Sequence, residues 1–176
     1  AGDLGLRVYL SPANRSGGMV LEAPGKMVPV FDEERGFQGL KDAIAYIERQ
    51  NGRHGDLVRG MLAPDRVETS TLELIRRTDA AARDLDCKFR LHMAQGAMEV
   101  DTVRMLHGST APVWLAKNGL LSDRLIAPHA TNATDEDLRL YAENGVSIIH
   151  CPLVSGRGGS ILKSISDCRR RGINIA

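Results

Sequence analysis

Two histidines stand where short apolar runs give way to polar, helix-leading segments. His92 lies in Lys88-Phe89-Arg90-Leu91-His92-Met93-Ala94-Gln95 and His129 in Arg124-Leu125-Ile126-Ala127-Pro128-His129-Ala130. In parallel α/β architectures the carboxyl ends of the strands open onto one crevice, so histidines distant in sequence can meet there. Neutral imidazole is both a metal ligand and a proton acceptor. The pair therefore points to metal-assisted or acid–base chemistry.

Positioning such residues requires alternating strands and helices, and the punctuation of the chain is regular from about residue 40 onward. Leu40, Ile44 and Ile47 form a helical face that stops at Asn51-Gly52, and a strand is expected over Leu57–Ala63. Ser70-Thr71-Leu72-Glu73 reads as a capping box, with Leu72, Ile75, Ala82 and Leu85 along one helical face after it. Beyond the His92 strand, 97–106 reads as a helix with Met98, Val103 and Leu106 available for packing. A shorter helix opens at Pro112 and stops at Asn118-Gly119. Thr134 caps a helix that carries Asp135, Glu136 and Asp137 in its first turn and closes at Asn144-Gly145. A strand over 146–151, a last helix over 160–171 and the start of another strand at Ile173 complete the pattern.

With Gly5–Leu10 counted as the first, about six strands alternate with helices. Apolar runs of this kind suit a parallel sheet covered on both faces. A (β/α)8 TIM barrel needs eight strands and about 250 residues. The fold class expected is therefore α/β, a partial (β/α)8 barrel truncated at both ends, with an open doubly wound sheet as the structural rival. Residues 1–176 are read as a single incomplete domain, in which 11–39, rich in Gly and Pro, forms a long loop region.

Composition excludes several other classes. With 23 basic residues against 22 acidic ones and no long basic run, no nucleic-acid partner is expected. Arg169-Arg170-Arg171 suits a helix C-terminus. No run approaches the roughly 20 apolar residues of a membrane span. No signal segment is seen, and three scattered cysteines, Cys87, Cys151 and Cys168, fit neither a disulfide framework nor a metal knuckle. The expected setting is cytoplasmic, with no membrane partner and no cysteine nucleophile.

The residues around the histidines resemble the amidohydrolase superfamily, in its group of cytosine and guanine deaminases and triazine hydrolases. The resemblance covers almost the whole chain. It runs through His92-Met93-Ala94-Gln95 with Glu99 farther on, Ala111-Pro112-Val113-Trp114-Leu115 leading to Asn118-Gly119-Leu120-Leu121, Ala127-Pro128-His129-Ala130, and His150-Cys151-Pro152-Leu153 before a Gly-rich loop. Their order, each separated from the next by one βα unit, makes the combination specific.

The resemblance implies a divalent metal, zinc first and iron second. Members hold it with an HxH pair on the first barrel strand, a histidine on the fifth and an aspartate on the eighth. His92 would be the fifth-strand metal ligand. His129, as the sixth-strand histidine, would carry a proton or orient water. A bound metal brings water toward a pKa of roughly 7, so hydrolysis of a non-peptide C–N bond in a small heterocycle is implied, of deaminase or chlorohydrolase type.

Three departures stand out. The family's HxxE acid is Gln95 here, which can orient a substrate through its amide but cannot shuttle a proton. Glu99 is expected one helical turn farther from the mouth and is a weak substitute. The chain has no HxH, and it ends at Ala176 before the family's metal-binding aspartate. Truncation is the expected cause, so the isolated fragment would be inactive and the parent protein the metal-dependent hydrolase. Open strand edges then predict a homo-oligomer. The rival reading is a non-catalytic, barrel-derived binding or assembly module, from which an upstream HxH and a downstream aspartate would separate the enzyme.

Among the remaining candidates, His150 reads as a core or hydrogen-bonded residue, and His54 and His107 as surface residues. The stretch Ser155-Gly156-Arg157-Gly158-Gly159-Ser160 reads as a loop shaped for close backbone approach rather than as a phosphate cradle.

Overall fold

The computed structural model describes residues 2–159, 161–162 and 165–176. Their contacts gather into two compact units, one running through Asp65 with Thr69–Phe89, the other Arg66–Glu68 with Arg90–Ala176.

In the first unit, strands β1 (Val8–Leu10) and β2 (Ala13–Asn14) precede a hairpin of β3 (Gly17–Ala23) and β4 (Lys26–Phe31). Helix α1 (Glu33–Gln50), the turn α2 (Arg53–Asp56), β5 (Val58–Gly60), β6 (Ala63–Pro64) and α3 (Leu72–Asp84) follow. β1 pairs with β5 and β2 with β6, both parallel, and Leu62 bridges Phe89 in the same sense.

Residues 11–39 are thus not one long loop. They hold β2, the antiparallel hairpin and the first turns of α1. Neither strand of the hairpin has a buried residue, and Val20, Leu21, Met27, Val30 and Phe31 are exposed. The alternation that marks a half-buried strand is therefore missing from its sequence. The early start of α1 is masked in the same way by Gly36 and Gly39, poor helix formers. Gly36 is required: a Cβ there would stand 2.7 Å from that of Ser16. The helix opens with Asp32 accepting from the Arg35 N–H at 3.0 Å, and it buries Leu40, Ala43 and Ile47.

The α3 cap is Thr71 rather than Ser70. Its hydroxyl accepts from the Leu74 N–H, and Glu73 pairs with Arg77 instead of closing a box. That start turns Leu74, Ile75, Thr78, Asp79 and Ala82 inward, so Leu74 takes the place expected for Leu72.

The second unit holds the strand ends that matter for chemistry. β7 (Phe89–Arg90) leads into it, followed by α4 (Ala97–His107), α5 (Ala111–Lys117), β8 (Leu125–Pro128), α6 (Asp135–Asn144), β9 (Ser147–Ile149), α7 (Pro152–Arg157) and α8 (Ile165–Arg170). The strand order is β7-β8-β9. Parallel bridges join Arg66 to His92, Met93 to His129 and Ile148 to Ile175, while the His129 N–H donates to the Ile149 carbonyl at 2.9 Å. The segment expected to begin a strand at Ile173 does pair. Leu91 and Met93 after β7, Leu125 and Ala127 of β8, Ile148 of β9, and Val103, Leu115 and Tyr141 of the helices are all fully buried.

The α6 cap is as its sequence suggests. Thr134 accepts from the Asp137 N–H at 3.2 Å, and Asp137 accepts from the Thr134 N–H at 2.8 Å. The last helix differs from expectation: Pro152 starts α7 through the Gly-rich segment, and α8 is short. The expected helix start at Ser160 lies outside the described residues. The architecture is α/β with parallel pairing, arranged among the described residues as separate sheets of two and three strands.

Candidate functional site

His92 and His129 are carried by adjacent strand ends in the second unit. The Met93–His129 bridge places both rings at the same level, with centroids 5.3 Å apart and planes inclined by 30°. His129 is only 5% exposed, and its Nδ1 is buried with no hydrogen-bond partner. Arg90, two residues before His92 on the same face of the strand, brings Nη1 to 3.4 Å from His92 Nε2.

The backbone around the pair is strained. Ala94, His129 and Ala130 have φ of 52°, 76° and 51°, the left-handed region that residues with a Cβ enter at a cost. Such conformations cost on the order of 1–3 kcal/mol each and persist only where the surroundings enforce them. Asn132 is one enforcing group: its N–H donates to the Ala94 carbonyl at 2.8 Å and its Nδ2 to the Gln95 carbonyl at 3.1 Å. The loop after His129 thereby clamps the loop after His92. Sequence reasoning passed over Asn132, whose only signal is an amide in a strand-end loop.

Gln95 is half-buried, and its side-chain Oε1 is buried without a partner. Its backbone N–H donates at 2.7 Å to Glu99 Oε2. Glu99 is 7% exposed and faces inward from the first turn of α4, a place the sequence reading gave to Met98, which is 82% exposed. Burial, with the charge of Glu68 added, pushes the Glu99 carboxyl up to about 7, against the hydrogen bonds from the Gln95 and Ala94 backbone and the charge of Arg66. Glu68 is itself 8% exposed. Tyr141, fully buried with its hydroxyl unpartnered, is driven well above the usual phenol range by burial and by Asp137 and Glu99.

His129 moves the other way. Burial first, then the neighbouring His92 and Arg66, lower it to about 4. Its imidazole is neutral at pH 7. It can accept a proton or offer a lone pair, but it does not rest as a cation.

Two adjacent imidazoles, one held neutral with a free buried nitrogen, have the donor chemistry of a borderline divalent metal. Among the described residues, no group of three or more His, Cys, Asp or Glu gathers to hold an ion.

The other candidates fall outside this cluster. His107 is half-buried rather than at the surface, because its ring stacks on Trp114 with centroids 3.9 Å apart. His54 is exposed beside Asp3, and His150 is half-buried with its Nδ1 unpartnered. Ser155, expected in a loop shaped for close backbone approach, is buried in α7 with its hydroxyl 3.1 Å from that of Thr131. All three cysteines are free thiols. No helix is long and apolar enough to cross a membrane among the described residues.

No family model matches the chain. It is 28% identical over 144 residues to 5-methylthioadenosine/S-adenosylhomocysteine deaminase 2 of Archaeoglobus fulgidus, a stretch that covers 82% of the chain and 35% of that protein. To the 5'-deoxyadenosine deaminase of Methanothrix thermoacetophila it is 32% identical over 138 residues, covering 77% of the chain and 32% of that protein. Among solved structures, the zinc complex of atrazine chlorohydrolase from Arthrobacter aurescens superposes with a TM-score of 0.78 at 23% identity, over 99% of this chain and 38% of that one. The chain spans about a third of the length of the curated relatives it matches.

Proposed function

The chain belongs to the amidohydrolase superfamily, in its group of heterocycle deaminases and triazine hydrolases, and from that membership we propose that the complete protein is a metal-dependent hydrolase. Its reaction is the hydrolysis of a non-peptide C–N bond in a small heterocycle, with release of an amine. A deaminase of an adenosine-type nucleoside is favoured over a chlorohydrolase, because the two sequence relatives carry deaminase names. In this reading residues 1–176 contribute part of a (β/α)8 barrel, within one domain of the complete protein.

The observation that carries the proposal is the His92–His129 pair, with rings 5.3 Å apart at bridged strand ends. His92 would hold the metal, zinc in the first place, together with donors supplied by the complete protein. A divalent metal held there would supply Lewis-acid activation of water. His129, neutral and buried, would orient a water and accept its proton. Gln95 presents an amide whose Oε1 lacks a partner and which can fix a ring N–H or exocyclic amine of the substrate.

The decisive experiment measures zinc stoichiometry and nucleoside deamination by the complete protein beside its His92→Ala variant. One zinc per chain, lost with His92, together with ammonia release from an adenosine-type substrate, supports the reading. Zinc retained by the variant, or absence of metal from both proteins, overturns it.

A further inference from the structure

The hydrolase reading leaves one chemical role vacant. Expelling an amine requires an acid, and the position at which the resemblance expects one is Gln95, whose amide gives up no proton near neutral pH. Four residues on, a carboxyl group is buried in the same loop and helix start. We propose, resting on that reading, that Glu99 is the proton-holding residue of the site: with Glu68 it forms a buried carboxyl pair that keeps one proton at neutral pH.

The placement of Glu99 follows from the helix. α4 begins at Ala97 after Gly96, so Glu99 sits in the third position, where a carboxylate can reach back to an N–H that the helix leaves unpaired. It does so through Oε2, at 2.7 Å from the Gln95 nitrogen. On an exposed helix such a group is an ordinary anion. Here the residue is 7% exposed, and Oε1 is buried with no partner. A bare anionic oxygen in that position is far costlier than a carboxylic acid.

Glu68 adds to that cost. It is 8% exposed, belongs to the same compact unit, and its charge acts directly on Glu99. Arg66 Nη1 lies 3.7 Å from Glu68 Oε1, so Glu68 is the member held as the anion; with that charge beside it, Glu99 is the member that retains the proton. The groups facing Glu99 are Glu68, Arg66, Tyr141 and the backbone N–H groups of Gln95 and Ala94. Arg66 and the two amides favour the anion. Burial and Glu68 oppose them, and Tyr141 is neutral at physiological pH.

Arg66 also ties the pair to the histidines, since its charge acts on both Glu99 and His129. A proton given by the pair to the departing amine leaves an anion already held by the Gln95 N–H and by Arg66. The attacking water loses two protons on becoming the product carbonyl oxygen: His129 passes one to the ring nitrogen, and the other restores the acid. Gln95 then serves as a positioning group and takes no part in proton transfer.

The test is an NMR pH titration of the chain carrying 13C-carboxyl-labelled glutamate, repeated on Glu99→Gln and Glu68→Gln variants whose folding is checked by circular dichroism. The expected result is one glutamate carboxyl that titrates near pH 7, is absent from Glu99→Gln, and moves to lower pH in Glu68→Gln. If every glutamate titrates in the usual carboxylate range, or if the late midpoint does not move when Glu68 is replaced, the proposal fails. Because the titration needs neither metal nor substrate, its outcome is separate from that of the hydrolase reading. In an active complete protein, Glu99→Gln removes the alkaline limb of the kcat–pH profile; an unchanged limb also overturns the proposal.

Discussion

Asn132 donates its Nδ2 proton to the Gln95 carbonyl at 3.1 Å, while its own N–H reaches the Ala94 carbonyl at 2.8 Å. One residue of the loop after His129 thereby fixes two consecutive peptides, the one joining Ala94 to Gln95 and the one joining Gln95 to Gly96. They follow a left-handed Ala94 and lead into the helix bearing Glu99. The relative placement of the two histidines depends on this clamp as well as on the strand pairing.

Asn132→Ala removes the side-chain bond and leaves the backbone bond in place. A loss of about 1 kcal/mol in unfolding free energy is expected from one hydrogen bond, read by urea denaturation. In the complete protein the effect on turnover is larger, about 10-fold to 100-fold in kcat, because small misplacements of reacting groups are costly.

His129→Ala separates metal binding from proton handling. Zinc remains bound to the complete protein, whereas kcat falls by about 100-fold to 10,000-fold, the usual worth of a general acid or base. Metal analysis and steady-state kinetics on one preparation check both halves.

Stability responds to pH in two opposite ways. Glu99 is raised from 4.5 to about 7, so its contribution is complete below pH 4.5 and is lost as pH climbs through 7. His129 is lowered from 6.5 to about 4, so its contribution is complete above 6.5 and is lost as pH falls toward 4. Glu99→Gln is therefore expected to be more stable than the parent chain at about pH 8, by about 1–3 kcal/mol, with no advantage at about pH 5. Denaturation curves at the two values read this directly, and equal gains at both would refute it.

Asp137 is 1% exposed and joins two elements: it closes the α6 cap with Thr134 and accepts from the Thr110 hydroxyl at 2.5 Å ahead of α5. Asp137→Ala should cost about 2–3 kcal/mol, more than an isolated cap, since it also leaves the part-buried Thr110 hydroxyl without its acceptor. Thr110→Val, which removes only that hydroxyl, should cost less; a larger loss than in Asp137→Ala would contradict the assignment.

Much of this arrangement was legible in the residues themselves. Thr134 with Asp137, Asn144-Gly145 and the apolar runs before both histidines carry local chemistry that fixes a cap, a stop and two buried strands. The hairpin was hidden because its strands bury nothing, and α1 because its opening turns contain two glycines. The inward turn of Glu99 was hidden for a different reason. Helical periodicity assigns the core to apolar positions, so it makes Met98 available for packing and sets Glu99 one turn farther from the mouth. Only three-dimensional context, with the Gln95 N–H waiting for an acceptor, reverses that choice. The histidine pair was readable as two strand ends, but its clamp was not, because a single loop asparagine has no periodicity to betray it.

The chain of parallel bridges from Arg66 through His92, Met93 and His129 to Ile149, with Ile148 joined to Ile175, also bears on how this sequence can change length. Side chains on a strand alternate between faces, so one residue added between Phe89 and His92 would turn the imidazole to the opposite face while every neighbouring strand stayed in step. The connecting helices and turns have no such parity. Natural variation in length should therefore accumulate between the strands and avoid the few residues before each histidine, a pattern that a library of single-codon insertions scored for folding would reveal as narrow forbidden windows in an otherwise permissive chain.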